Sequence, residues 1–104
     1  MITQLRIYTI NRGALNQWVE EWEAQIKPLR IQLGFQILGA WTIEETNQFV
    51  WILGYAGPAS WDALDQAFHE SPERQAMSPN PARHIARIEH HFLTPVSSER
   101  GTRS

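Results

Sequence analysis

Residues 3–10 read Thr-Gln-Leu-Arg-Ile-Tyr-Thr-Ile, and this stretch decides the fold of the chain. Side chains of a β-strand point alternately to its two faces. Leu5 and Ile7 therefore share one face, while Gln4, Arg6 and Tyr8 share the other. The alternation predicts a central strand between two unlike environments. We expect the face of Leu5 to be core and the opposite face to be a polar, functional or interface surface.

Composition limits the classes of function. The chain has 104 residues, enough for one domain with its own core. Its formal net charge is −2 and it has no run of Lys or Arg, so we expect no nucleic-acid partner. The absence of cysteine excludes disulfides, thiol catalysis and thiolate metal sites. No apolar run is long enough to span a bilayer, so we expect a soluble, cytoplasmic protein with no membrane partner. The sequence has no phosphate-cradling glycine loop, and we expect no cofactor.

Hydrophobic periodicity and turn residues predict the remaining elements. Pro28 removes a backbone donor from the first helix, which predicts a kink or break near residues 24–27. Ser60 is a plausible N-cap for the second helix. The predicted elements are a helix at 14–33, hairpin strands at 35–44 and 47–56, a helix after Ser60, a short helix at 72–77 and a last strand at 84–93.

The order β-α-β-β-α-β predicts an α+β, ferredoxin-like fold with a four-stranded antiparallel sheet. We expect the domain to cover residues 1–95 and residues 96–104 to be a disordered tail, because the tail is polar and short of apolar residues.

The faces of the hairpin depend on its loop, for which we expect the two residues Glu45 and Thr46. We place two glycines, Gly39 and Gly54, on the face that the helices cover, because glycine lets a helix approach a sheet closely. The other face would then carry large apolar side chains, namely Tyr8, Leu38, Phe49, Trp51, Leu53, Tyr55 and Leu93. A second copy of the sheet is the expected cover for so much apolar area, giving a homodimeric α+β barrel.

Residues 4–10 and Gly13 resemble the opening of NIPSNAP domains, Glu-Leu-Arg-x-Tyr-x-Leu with a following glycine. The hairpin, with Gly39-Ala40-Trp41-Thr42 and a second strand ending in Tyr55, resembles that family too. The resemblance implies a dimeric α+β barrel, a superfamily that includes cofactor-free oxygenases and muconolactone isomerases. It implies no reaction for this chain. Gln4, Trp51 and Leu53 stand where the family often has Glu, His and Trp.

The strongest catalytic candidates are Arg6, Tyr8, Glu89 and His91, since the first and last strands of this fold are neighbours. In this hypothesis Glu89 raises the basicity of His91, which acts as a general base. Arg6 and Tyr8 then hold an oxyanion. The alternative is that the four residues only make buried ion pairs and hydrogen bonds in a dimer. His90 and His91 point to opposite faces of a strand, so we expect no metal site.

For ligand binding the candidates are Trp51, Tyr55 and Leu38, although filling of a dimer core explains them equally well. The leading hypothesis is a homodimer that binds a small apolar or aromatic ligand in the barrel. One alternative is a cofactor-independent monooxygenase or isomerase acting on a carbonyl or phenolic compound. Another is a non-catalytic interaction or scaffold protein. An interior filled by Phe49, Trp51 and Leu53 would leave no room for a substrate.

Overall fold

The computed structural model describes residues 1–96 as one α+β unit, so most of the predicted disordered tail, from residue 97 on, lies outside the described residues. Ferredoxin-like order is confirmed, with helical segments after the first and third strands. In chain order the elements are β1 (Ile2–Ile10), α1 (Leu15–Glu21), a π-helical turn (Trp22–Ile26), α2 (Lys27–Gln32), β2 (Gln36–Ile43), β3 (Gln48–Tyr55), α3 (Trp61–Glu70), α4 (Pro72–Gln75) and β4 (Ile85–Leu93).

The sheet has the strand order β2-β3-β1-β4, and every pair is antiparallel. β1 is central, as predicted. Arg6 lies directly opposite Trp51 on β3 and His90 on β4. Residues directly opposite in an antiparallel pair share a face, so these three side chains are on the same side of the sheet.

The hairpin register is the predicted one from Ala40, opposite Trp51, to Ile43, opposite Gln48. The loop is longer than the two residues expected, because a 3₁₀ turn at Glu44–Thr46 is followed by Asn47 in the left-handed region with φ of 58°. A register shift between Ile37 and Gly39 leaves Leu38 without a partner on β3. Such a bulge bends the edge strand locally.

The first helix is continuous from α1 through the π-helical turn into α2. The predicted disturbance near residues 24–27 is confirmed, and it takes the form of a wider turn rather than a break. The Lys27 amide donates to the Trp22 carbonyl, five residues back. Four α-helical residues turn through about 400°, so each step of four drifts by about 40° around the axis. A wider turn offsets that drift and keeps Trp22, Ile26 and Arg30 buried on one side.

The assignment of the two sheet faces was wrong. The helices cover the face of Arg6 and Tyr8, and the core lies there: Tyr8, Phe49, Trp51, Leu53 and Tyr55 are all buried. Trp22 packs edge-on against Phe49 and Trp51, with ring centroids 5.0 and 5.3 Å away. Phe49 and Trp51 are thus covered by the chain's own helices, rather than by a second sheet.

Leu5, Ile7 and the two glycines lie on the face without helices. The glycines accommodate side chains of that same face. A Cβ on Gly39 would collide with the Trp41 ring, and a Cβ on Gly54 would collide with the Met1 side chain. This uncovered face still carries apolar side chains that are exposed or half-buried, including Leu5, Ile7, Leu38, Trp41, Val50, Ile52 and Leu93.

Among residues 1–96, no helix has the length and apolar character needed to span a membrane.

Candidate ligand-binding site

A cavity of about 200 Å³ lies between the helices and the sheet, beside Arg6. Its walls come from β1, β3, β4, the first helix, α3 and α4. They combine aromatic rings with several basic groups. The lining side chains include Arg6, Tyr8, Arg30, Trp51, Phe68, His69, Arg74, Ile88 and His90.

Arg6 is the polar centre of the site. Its side chain is only 2% exposed, although it stands on a strand that looks amphipathic. Its Nε donates to Gln4 Oε1 at 2.6 Å, and its Nη1 donates to the Tyr8 hydroxyl at 3.2 Å. Its Nη2 donates to Asp65 Oδ1 at 3.3 Å. Three neighbours therefore fix the plane of the guanidinium, which is a rigid fork of donors.

Arg30 enters the site from α2 and is 1% exposed. Its guanidinium carbon lies 3.8 Å from the centroid of the Phe68 ring, and its Nη1 donates to Asp65 Oδ1 at 2.6 Å. Burial in this aromatic setting and the nearby charge of Arg6 lower the pKa of Arg30 from 12.5 to about 10, against the opposing effect of Asp65. Arg30 stays protonated at neutral pH, although burial makes its charged form less favourable than it is in water.

Asp65, on α3, is the shared partner of the two arginines. Burial raises its pKa, but the hydrogen bond from Arg30 and the charges of Arg30 and Arg6 together outweigh this, so the pKa lies below its ordinary value of 3.8. The carboxylate is ionised at neutral pH. Two buried cations thus share one anion, and Arg74 adds a third guanidinium to the lining. The walls of the cavity carry a net positive charge.

Two imidazoles face the same cavity. Burial is the largest cause that lowers the pKa of both His69 and His90, and the charges of Arg30 and Arg6 lower both further. Both rings are therefore neutral at pH 7, and a neutral imidazole can accept a proton. His69 Nε2 also lies 3.7 Å from Asp65 Oδ2.

Serine caps hold the helices that carry Asp65, His69 and Arg74. Ser60 accepts a hydrogen bond from the Ala63 amide and begins α3, as predicted. Ser71 accepts from the Arg74 amide and begins α4. Each cap satisfies a backbone donor that a helix leaves unpaired at its start. The caps fix where each helix begins and so which of its residues reach the cavity.

The family profile described as NIPSNAP matches residues 3–99, which is nearly the whole chain. The chain belongs to the NIPSNAP family. No curated protein matches it.

Solved structures of low sequence identity share the fold of this NIPSNAP domain. An uncharacterized NIPSNAP domain protein from Burkholderia xenovorans is 21% identical, with a TM-score of 0.81 over 93% of this chain and 96% of that one. A NIPSNAP family protein from Agrobacterium tumefaciens is 20% identical, with a TM-score of 0.80 over 90% and 91%. A putative antibiotic biosynthesis monooxygenase from Bacteroides thetaiotaomicron is 17% identical, with a TM-score of 0.69 over 99% and 94%.

The predicted catalytic group of this NIPSNAP domain is divided between the two faces of the sheet. Arg6 and Tyr8 line the cavity. Glu89 and His91 lie opposite Ile7 and Leu5, on the uncovered face, so the expectation that all four meet in one site is wrong. Their alternation on β4 places His90 in the cavity instead. His91 Nε2 does contact Glu89 Oε1 at 3.5 Å, as the spacing of two residues implies.

The predicted ligand-binding residues are divided as well. Trp51 lines the cavity and is fully buried. Tyr55 is also buried under the helices, but its hydroxyl accepts from the Ala59 amide, away from the cavity lining. Leu38 is half-exposed on the bulge of β2 and contacts the uncovered face near Gly54. Neither Trp51 nor Tyr55 faces a second sheet.

Sequence reasoning missed Arg30, Asp65 and His90 as residues of this site, and it did not place His69 there, which lines the cavity although its side chain is 55% exposed. A signal existed for Arg30, because it follows Trp22 and Ile26 in steps of four on the apolar stripe. A charged residue on such a stripe indicates a buried partner. His90 would have followed from a correct choice of the buried face. For Asp65 we find no signal beyond its position four residues before His69.

Proposed function

We propose that this NIPSNAP domain binds a small apolar or aromatic molecule in the cavity between its sheet and its helices. The observation that carries the proposal is the cavity itself. Phe49, Trp51 and Leu53 fill much of the interior, yet about 200 Å³ remains next to Arg6. An engineered apolar cavity of roughly 150 Å³ binds benzene, so a benzene-sized ring with a small substituent fits the volume.

Aromatic walls support an aromatic or flat apolar ligand. Trp51 and Phe68 line the cavity and are only 0% and 2% exposed, so their rings are held firmly by their neighbours. Rings pack edge-to-face or offset-stacked with a gain beyond the buried area, on the order of 1 kcal/mol per pair. Small-molecule sites are typically apolar clefts that contain a small number of polar groups pointing toward the ligand.

Filling the cavity tests the proposal. Ile88 on β4 lines the cavity and is half-exposed, so Ile88→Trp adds bulk there without opening a void in the core. Native mass spectrometry of the purified protein detects any retained molecule, and thermal unfolding measures stabilisation by added aromatic compounds. We expect Ile88→Trp to lose both signals. Ala86→Trp, an exposed position on the same strand outside the lining, is the control. Wild-type protein that retains and binds nothing contradicts the proposal and favours the scaffold alternative.

We propose further that two copies pair through the uncovered face of the sheet. The apolar side chains there include the half-exposed Leu38 and Trp41. A face of this kind left in water promotes association, and a 104-residue chain gains proportionately from extra buried area. Pairing in this way leaves the cavity under each protomer's own helices. The two copies would therefore carry separate sites.

A second candidate is catalysis in the same cavity, as an isomerase or cofactor-independent monooxygenase acting on a carbonyl or phenolic compound. Its support is that neutral His69 and His90 line the cavity together with Arg6. Either imidazole can take a proton from carbon next to a carbonyl, while a guanidinium holds the enolate oxygen. Return of the proton to another carbon completes an isomerisation. The fold shared with a protein named as a putative antibiotic biosynthesis monooxygenase is compatible with this chemistry.

Proton exchange tests catalysis without a known substrate. Phenolic and carbonyl compounds that bind are incubated in deuterated water, and loss of the exchangeable C–H signal is followed by NMR. Catalysis predicts accelerated exchange that His90→Gln reduces. Ligands that bind without any exchange leave the protein as a binding module.

A further inference from the structure

We infer that the ligand of this cavity carries a single negative charge, as a carboxylate on a flat apolar body, and that the guanidiniums of Arg6 and Arg30 hold it. The inference rests on the proposed binding function and names its ligand class.

Charge balance carries the inference. Both guanidiniums are withdrawn from solvent, with 2% and 1% exposure. Within residues 1–96, Asp65 supplies the ion pair of both, and both use its Oδ1 oxygen. A buried charge without a counter-charge is costly. One carboxylate balances one guanidinium, so the site as it stands is one anion short even before Arg74 is counted.

The cavity is the place where a second anion fits. Arg6 and Arg30 both line it. Arg30 Nε and Trp51 Nε1 are buried donors without an acceptor among the described residues, and both residues belong to the lining. Within the described part of the chain, Trp18 and Trp22 also have indole donors without an acceptor, and neither lines this cavity. The inference therefore depends on the missing charge and not on the number of free donors. An incoming carboxylate would supply both an acceptor and a counter-charge.

The missing single charge and the shape of the guanidinium together favour a carboxylate. The planar fork of a guanidinium matches a carboxylate in a two-point arrangement. A cationic ligand would meet three guanidiniums in one small space. Trp51 and Phe68 leave apolar wall for the rest of the molecule. The volume of about 200 Å³ limits that remainder to one small ring or a short branched chain.

Matched acids and amides test the inference on the wild-type protein. The probes are benzoate with benzamide and phenylacetate with phenylacetamide, which differ in charge but hardly in shape. Dissociation constants come from calorimetry or from quenching of tryptophan fluorescence at fixed ionic strength. We expect each acid to bind about tenfold or more tightly than its amide, the scale of one charge-assisted hydrogen bond. Equal binding of acid and amide overturns the inference and leaves the proposed function standing. Absence of binding by all four overturns both.

Three substitutions then locate the charge, one of them a control. Arg30→Met keeps the length and apolar contact of the side chain and removes its charge, so the preference for acid over amide should fall toward one. Arg12→Gln, at an exposed arginine in the turn after β1, should leave the preference unchanged. Asp65→Asn removes the competing carboxylate and should increase the preference, an effect opposite to that of general damage to the site. A preference that survives Arg30→Met unchanged, or that Asp65→Asn lowers, contradicts the inference.

Discussion

Arg6 and Arg30 donate to the same oxygen atom, Asp65 Oδ1, from distances of 3.3 and 2.6 Å. The three residues come from β1, α2 and α3, so one carboxylate joins the central strand to the first helix and to α3. These ion pairs hold the three elements together, and their two arginines also line the cavity. The stability of the fold and the ligand preference of the cavity are therefore linked.

Loss of the shared carboxylate should destabilise the fold. Asp65→Asn leaves two buried guanidiniums without a counter-charge, and breaking a buried ion pair in this way costs roughly 3–5 kcal/mol. Because the Asp65 side chain is 26% exposed, we expect the lower end of that range, about 3 kcal/mol. Urea unfolding at pH 7 measures the change. Asp62→Asn, at an exposed position in the first turn of α3, is the control and should cost only about 0.5 kcal/mol. Equal losses of unfolding free energy in Asp65→Asn and Asp62→Asn would show that the ion pairs of Asp65 add nothing to stability.

The contribution of Asp65 should disappear in acid. Its folded pKa lies below the ordinary 3.8, so the unfolded chain takes up this proton more readily than the folded one. Stability from this group is complete above pH 3.8 and is lost as the pH falls through the lower folded pKa. The gap in unfolding free energy between wild type and Asp65→Asn should therefore narrow below pH 3.8. Unfolding curves between neutral pH and pH 2 test this, and a gap that stays constant would contradict it.

The two neighbouring histidines of β4 should behave differently. His90 lines the cavity, whereas His91 lies opposite Leu5 on the uncovered face. We expect His91→Ala to leave the dissociation constant of any cavity ligand unchanged and His90→Ala to alter it by about tenfold or less, the scale of one lost polar contact. Titration of both variants with the same ligand measures the contrast. A stronger effect at His91 would move the site to the other side of the sheet.

A charge in the middle of the uncovered face should prevent self-association. Ile52 on β3 lies on that face and is half-buried within the monomer. If two copies pair there, Ile52→Lys buries an unpaired ammonium at the interface and dimers should become monomers. Light scattering after size-exclusion chromatography gives the mass, and circular dichroism checks that the fold is kept. Wild-type protein that runs as a monomer would refute the proposed pairing.

Local patterns in the sequence were sufficient to predict the helices, the strands and their topology. The alternation of β1, the hairpin register near Ala40, and the Ser60 cap all follow from neighbouring residues and turn chemistry. These signals act over a few positions, so they can be read without knowledge of distant partners. The order of the elements then restricts the fold to a small set.

The buried face could not be predicted from side-chain polarity. Gln4 and Arg6 look like solvent-facing side chains, and charged residues are seldom buried unless they are paired. The partner that permits burial, Asp65, stands 59 positions away from Arg6 on another element. Size would have been the better guide, because Phe49 and Trp51 are bulkier than Val50 and Ile52 and need the deeper cover of the helices.

The π-helical turn has a consequence for how relatives of this domain are compared. It holds Trp22 and Arg30 on one side of the helix by fitting an extra residue into a single turn. A relative that lacks that residue would have an ordinary α-helical turn. If it is aligned without a gap, each residue beyond the turn differs in direction from its aligned counterpart in this chain by about 100° around the helix axis. An alignment without a one-residue gap between residues 22 and 26 would then equate Arg30 with a residue that points elsewhere. Relatives that share the basic cavity should be recognised by this spacing as well as by the arginine itself.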